Sequence, residues 1–171
     1  SMDSGCHPLP VIFTNQAAPG SNITWLVNGQ LVSNSNTAFS YVFNNPDVST
    51  RIFTVTQVVS SLLNSDCRDT LTSFVKVFPK PVAGILGATP DEGCSDLNAT
   101  LISGAVGATS YYWNFRDGSD TTTDIPTVTH RFRNTLSNTN RTFNVLLAIT
   151  NPFGCHRFKS GHTYQNIPKR V

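Results

Sequence analysis

The sequence predicts an all-β fold of two tandem β-sandwiches, on three observations. The first is composition. Ser, Thr and Asn number 17, 21 and 16, nearly a third of the 171 residues, whereas Glu occurs once, at Glu92, and Lys four times. Residues that build solvent-exposed helices are nearly absent, and the β-formers Thr, Val, Phe and Tyr are plentiful. The second is spacing. Runs of alternating apolar residues recur at short intervals, separated by turn residues. The third is an internal repeat. Cys6 and Cys67 are 61 residues apart, as are Cys94 and Cys155, and Trp25 follows Cys6 by 19 residues as Trp113 follows Cys94. All three landmarks recur with a period of 88 residues, the mark of a duplicated unit.

The same arithmetic excludes several classes. Twelve Lys and Arg face ten Asp and Glu, for a net charge of +2, and charged residues are 13% of the chain. A protein that tracks a phosphate backbone carries more positive charge, more lopsidedly, so nucleic acid is not an expected partner. No apolar run approaches the roughly 18 residues of a membrane span, so no membrane insertion is expected. Disorder is excluded by a hydrophobic fraction of 39% in alternating runs. Ser1-Met2 reads as a cloning remnant ahead of a fragment of a longer protein.

In the first repeat, strands are expected at about 10–15, 22–28, 30–33, 38–43, 51–60 and 70–78. Asn28-Gly29 between Trp25-Leu26-Val27 and Gln30-Leu31-Val32 is a two-residue hairpin signal. In the second, strands are expected at about 82–88, 97–103, 109–115, 127–133, 141–150 and 160–167, with Asp117-Gly118 at the matching turn. Phe143, Val145, Leu147 and Ile149 share one face of the long strand, as Trp113 and Phe115 do of theirs, and Trp25 and Val27 in the first repeat. These faces are the expected cores of immunoglobulin-like sandwiches. The boundary falls at Phe78-Pro79-Lys80-Pro81, giving domains 1–81 and 82–171. Twelve residues between Pro81 and Cys94 leave room for a first strand, whereas only five precede Cys6. The first domain is therefore expected to lack its first strand or to take it from upstream sequence.

Four cysteines allow three pairings, and the repeat favours Cys6–Cys67 with Cys94–Cys155, one bridge per domain. Disulfides imply an oxidising compartment. Reduced buried thiols are the alternative, and a zinc site lacks the close cysteine spacing that tetrahedral ligation favours.

Catalysis finds no support. His7, His130, His156 and His162 stand in no recognisable arrangement with a nucleophile, and one Glu cannot make a glycosidase pair. His130 reads as a structural hydrogen-bonding residue. His156 and His162, six apart in a predicted turn, are a weak metal pair. Asp117, Asp120 and Asp124 cluster in one turn region, where oxygen ligands for Ca²⁺ or a solvated turn are the two readings. No other cofactor is expected. The outward-facing positions carry more. With Trp113, Val145 and Leu147 inside, Tyr112 and Leu146 face out on strands expected to be neighbours, with Leu26 and Val58 at similar places in the first domain. An aromatic on a sheet face can stack on a sugar ring or a partner chain; ordinary exposure, or cover by an adjacent domain, is the other reading. Three sequons begin at Asn22, Asn98 and Asn140. The charge is uneven, net 0 through Pro81 and +2 after it, giving either an anion-binding surface or a solvated face.

Trp113-Asn114-Phe115-Arg116-Asp117-Gly118-Ser119, Pro126, His130-Arg131-Phe132 and Thr142 through Asn151 resemble the PKD (polycystic kidney disease-type) domain pattern W-D-F-G-D-G-S, P, H-x-Y/F and Y-x-V-x-L. Asn114 and Arg116 depart from it, Arg116 standing where the family usually has Gly. The first repeat keeps Trp25, Val27, Asn28-Gly29 and the long strand, and looks like a diverged PKD-like or Ig-like module. The cysteine-bearing version, with the exit strand Phe74 to Pro81, is similar to tandem modules of large Bacteroidetes surface proteins, including adhesins and cargo of type IX secretion. The resemblance implies an extracellular or cell-surface location and a non-catalytic stalk or interaction module. Its partners would be neighbouring domains of the same chain, a glycan or a surface protein. A carbohydrate-binding module and an accessory domain of a secreted hydrolase are the alternatives.

Overall fold

A computed structural model describes residues 3–63, 67–135 and 139–167, with their side chains except those of 3, 86 and 160–167. The chain divides into two compact units, Ser1–Pro79 and Lys80–Val171. All of its regular structure among the described residues is β. The first unit holds β1 (Asp3–Cys6), β2 (Leu9–Phe13), β3 (Ser21–Val27), β4 (Gln30–Ser33), β5 (Phe39–Phe43), β6 (Arg51–Ser61) and β7 (Arg68–Phe78). The second holds β8 (Ile85–Thr89), β9 (Leu97–Ser103), β10 (Ser110–Asn114), β11 (Asp120–Thr123), β12 (Thr127–Phe132), β13 (Arg141–Thr150) and β14 (His156–Ile167).

Each unit is an immunoglobulin-like sandwich of two sheets. The first unit faces the sheet β1-β7-β6-β3-β4 with the pair β2-β5. The second faces β11-β10-β13-β14 with β12-β9-β8. The period of two decides what is inside. Phe143, Val145, Leu147 and Ile149 on β13 are buried with Trp113 and Phe115, and Leu97, Ala99 and Leu101 of β9 close over them. Ile23, Trp25 and Val27 are buried with Phe53, Val55, Val75 and Val77 in the first unit. The Asn28-Gly29 hairpin is a type I′ turn, with φ of 48° and 78° at its two residues. Unpredicted from the pattern, Asn45 is buried and donates through Nδ2 to the Ser49 and Val77 carbonyls. At the matching place in the second unit, one residue past the 88-residue period, Asn134 is buried and donates to the Thr139 carbonyl. These amides satisfy backbone that would otherwise be buried without a partner.

Three expectations need correction. β11 was not anticipated, because Asp120-Thr121-Thr122-Thr123 has no apolar alternation; it pairs with Tyr111–Asn114 along the edge. The first unit does have a strand before β2, but it is not the counterpart of β8, which pairs with β9. β1 pairs parallel with Val75–Phe78 of β7, on the sheet opposite β2. The third concerns the cysteines. Cys67 and Cys94 are free and exposed, so neither within-unit bridge exists. The reason is length. Cys6 lies beside Phe78 at one end of β7, and Cys67 precedes Arg68 at the other. Eleven residues of strand span about 35 Å, whereas a disulfide bridges Cα atoms less than about 7 Å apart. In the second unit Cys94 precedes β9, beside the Phe132 and Phe143 end, and Cys155 follows the far end of β13.

Candidate functional site

The outer face of the sheet β11-β10-β13-β14 collects the exposed side chains that carry recognition chemistry. Alternation puts Trp113 inside, so Tyr112 faces out, opposite Ala148 of β13. Ala148 in turn lies opposite Phe158 of β14. One row across the sheet therefore reads Thr122, Tyr112, Ala148, Phe158. Two aromatic rings flank a methyl group, two strand spacings or about 9–10 Å apart. Phe158 is 65% exposed, and Tyr112 is half-buried. His156 stands on the same face of β14, its ring 6.4 Å from that of Phe158. Leu146, opposite Asn114, is the diagonal neighbour of Tyr112 and half-buried. Asn114 Nδ2 donates to the Tyr112 hydroxyl at 3.5 Å. In chemical terms this is a flat apolar shelf with amide, imidazole and hydroxyl groups around it.

Phe158 and Ala148 were not singled out from the sequence. The signal was present: Phe158 alternates with His156 beside Cys155. The strand had been expected to begin at 160, whereas it starts at His156. Leu26 of the first unit is half-buried, opposite Thr56 and Leu31 on its outer face, with Val58 diagonal to it. No aromatic shares its row.

The three aspartates do not form a metal site. Among the described residues no group of three His, Cys, Asp or Glu is placed to hold an ion. Asp120 and Asp124 are exposed, and Asp117 is engaged elsewhere. Its Oδ1 accepts from the Ser119 hydroxyl at 2.6 Å and the Ser119 N–H at 3.0 Å. Its Oδ2 accepts from His130 Nε2 at 2.8 Å. The His130 ring stacks on Phe115 with centroids 3.7 Å apart and 3° between planes. Burial pushes the Asp117 carboxyl up, but the Ser119 and His130 hydrogen bonds outweigh it and hold the group below its ordinary value. His130 thus pins the turn that carries Asp117. The side chain of His162 lies outside the described residues, as do those of the basic residues Lys169 and Arg170. Arg131 and Arg133 are paired with exposed Asp96, at 2.6 and 3.0 Å. Asn22, Asn98 and Asn140 of the three sequons are all exposed.

Neither a family model nor a curated protein matches the sequence. Solved structures with similarity to the chain are β-sandwich modules. The SGBP-B protein of the Bacteroides ovatus mixed-linkage glucan utilization locus, in complex with a mixed-linkage heptasaccharide, is 9% identical over 96% of this chain and 43% of its own, with a TM-score of 0.38. Fibronectin(III)-like modules of Clostridium thermocellum CbhA are 11% identical over 99% of this chain and 90% of theirs, with a TM-score of 0.42. A titin I-band fragment is 12% identical over 99% of this chain and 62% of its own, with a TM-score of 0.44. The chain thus spans less than half the length of the first of these. Among the described residues no helix is long and apolar enough to cross a membrane.

Proposed function

We propose that this chain is a non-catalytic interaction module of a larger extracellular or cell-surface protein, built from two PKD-type domains. In this reading its contact surface is the aromatic outer face of the second unit, and its ligand is a sugar ring of a glycan or surface polymer. One observation carries the reading: the row Tyr112, Ala148, Phe158. Two rings flanking a methyl group on a flat sheet suit the apolar face of a pyranose, and Asn114 and His156 suit its hydroxyls. Disulfide bonding of cysteine, as at Cys6, supports an oxidising compartment. The W-x-F-x-D-G-S turn supports the PKD assignment, because Asp117 and His130 are the residues that close it. Neighbouring domains of the same chain are the other proposed partners.

A glycan- and polymer-array screen tests this reading, run with and without Ca²⁺. Binding that falls by roughly 1–3 kcal/mol in Tyr112→Ala and in Phe158→Ala, by analogy with aromatic stacking on bases, is the expected result. Binding unchanged in both variants removes the shelf as the site. A blank array from oxidised, folded protein favours a second reading, a spacer that presents another region. That reading has its own support in the separate buried cores of the two units.

A further inference from the structure

The duplication gives each strand of one unit a counterpart in the other, and one strand lacks its neighbour. β9, 88 residues after β2 in the repeat register, is flanked on both edges, by β12 and by β8. β2 is flanked only by β5 among the described residues. The two pairings share one register, since Leu97 faces Phe132 as Leu9 faces Phe43. In the second unit β8 pairs with Thr100–Ser103, lies against β14, and packs Ile85 and Ala88 on the core. The counterparts of Thr100–Ser103 are Ile12–Asn15.

That location in the first unit is a groove of about 280 Å³. It is lined by Ile12, Phe13 and Thr14, by Trp25 and Gln57, and by Leu71 and Ser73 of β7, the counterpart of β14. Four further observations describe a seat with its strand missing. Leu97, Ala99 and Leu101 are buried on β9, whereas their counterparts Leu9, Val11 and Phe13 are only half-buried. Leu71 is 66% exposed, although it shares a face with buried Val75 and Val77. The Trp25 Nε1–H is buried without a hydrogen-bond partner, whereas the Trp113 Nε1–H donates to Thr123 Oγ1. The backbone of β2 also presents a free edge there. Pro10 has no N–H, so its pair with Val42 is of the non-hydrogen-bonded kind, and two residues on so is the pair Ile12–Ser40. The N–H and C=O of Ile12 therefore point away from β5, toward the edge that β8 fills in the second unit.

We propose that the groove between β2 and β7 is a strand-accepting site. Its occupant is an extended peptide segment that pairs antiparallel with Ile12–Asn15 and turns apolar or small side chains inward, as β8 does with Ile85 and Ala88. Recognition is β-augmentation: main-chain hydrogen bonds supply affinity, and the groove reads alternate side chains. The site extends the two-stranded sheet β2-β5 to the three-stranded form that the duplicate unit already has. It does not depend on the sugar-binding reading, because none of its lining residues belongs to the aromatic shelf.

The test uses the whole chain, ¹⁵N-labelled, titrated with a peptide of the sequence of residues 82–90 and with a scrambled peptide. Saturable shifts at Ile12–Asn15, Leu71, Ser73 and the Trp25 indole are expected from the first peptide only. Hydrogen exchange at the Ile12 amide should slow on the order of tenfold. Ile12→Pro removes the edge donor and should abolish both effects. Leu71→Lys changes an exposed residue, leaves the β2–β5 pairing intact, and should also abolish them if Ile12→Pro proves unfolded. No shifts at millimolar peptide, equal response to the scrambled peptide, or unaltered binding by Leu71→Lys overturns the proposal. Shifts of the same residues on raising protein concentration without peptide overturn it too, in favour of a second copy at that edge. A blank glycan array leaves this titration unaffected, so the two readings fail separately.

Discussion

Trp25 and Trp113 occupy the same position in the repeat and live in different surroundings. Both are buried on an inner strand of the larger sheet, and both carry an indole N–H. In the second unit that N–H meets Thr123 on β11, and the core is closed by Leu147 and Leu101. In the first unit the N–H meets nothing, and the strand position beside the ring, opposite Trp25 on β6, is Gln57, which reaches Asn15 Oδ1 at 3.0 Å. The difference teaches what duplication preserves. Core alternation, hairpin placement and strand register survive, because a one-residue slip exposes every core side chain. Edges and the polar groups near them drift, because solvent or a partner can satisfy what the unit itself does not.

The largest expected effect tests that contrast directly. Trp→Phe removes the same atoms from both units. Trp113→Phe loses packing and a hydrogen bond, and should cost the second unit about 2–4 kcal/mol. Trp25→Phe loses similar packing but removes a donor that is already unpaired, and should cost the first unit about 1–2 kcal/mol less than that. Native-state hydrogen exchange at amides of β6 and β13 reads the two units separately within one chain. Equal losses would mean that the Trp25 donor is satisfied in solution, and the contrast would vanish.

A smaller effect concerns acid. Asp117 and His130 pin a turn in the second unit, and the first has Gly29 where Asp117 would stand. The Asp117 carboxyl is held below its ordinary value of 3.8 in the folded state. Its ionised form therefore stabilises the fold above that value, and the contribution is lost as pH falls through the lower folded value. Below about pH 4 exchange protection of β13 should decline, and Asp117→Asn should lower protection at pH 7 while flattening this acid limb. Protection of β6 should be indifferent to the substitution. An acid limb unchanged in Asp117→Asn would shift the effect to other carboxylates.

Most of the fold was legible because it rests on the period of two and on residues with one conformational use. Phe143, Val145, Leu147 and Ile149 announce a buried strand, and Asn28-Gly29 announces a type I′ turn. β11 was not legible, since Asp120-Thr121-Thr122-Thr123 has no apolar face and is held by its neighbour's backbone. The disulfides were misread because sequence spacing shows which cysteines are equivalent and not which are close. Cys6 and Cys67 sit at opposite ends of β7, and only the strand's length in space shows it. Of the proposed binding face, Tyr112 and Leu146 follow from alternation, but Phe158 requires the β13–β14 register. The groove in the first unit follows from a missing neighbour, which appears only when the two sheets are compared.

The smallest effect lies in the turns themselves. Asn28 and Arg116 are counterparts three residues past each tryptophan, and both have positive φ, 48° and 59°. Asn tolerates this left-handed region through its short polar side chain; for Arg the Cβ meets the following carbonyl, at a cost of roughly 1 kcal/mol. The Arg116 N–H is held by Asn114 Oδ1 at 3.0 Å, which fixes the conformation in spite of that cost. Arg116→Gly removes the clash but adds freedom to the unfolded chain, at a cost of about 0.5–1 kcal/mol, so the net gain should be no more than about 0.5 kcal/mol, in the second unit alone. Arg116→Asn should recover part of it, and Asn28→Arg should cost the first unit a similar amount. Chemical denaturation followed at β13 and β6 amides gives both numbers. A loss on Arg116→Gly would show that the guanidinium makes a compensating contact, and the two turns would then differ in chemistry and not only in strain.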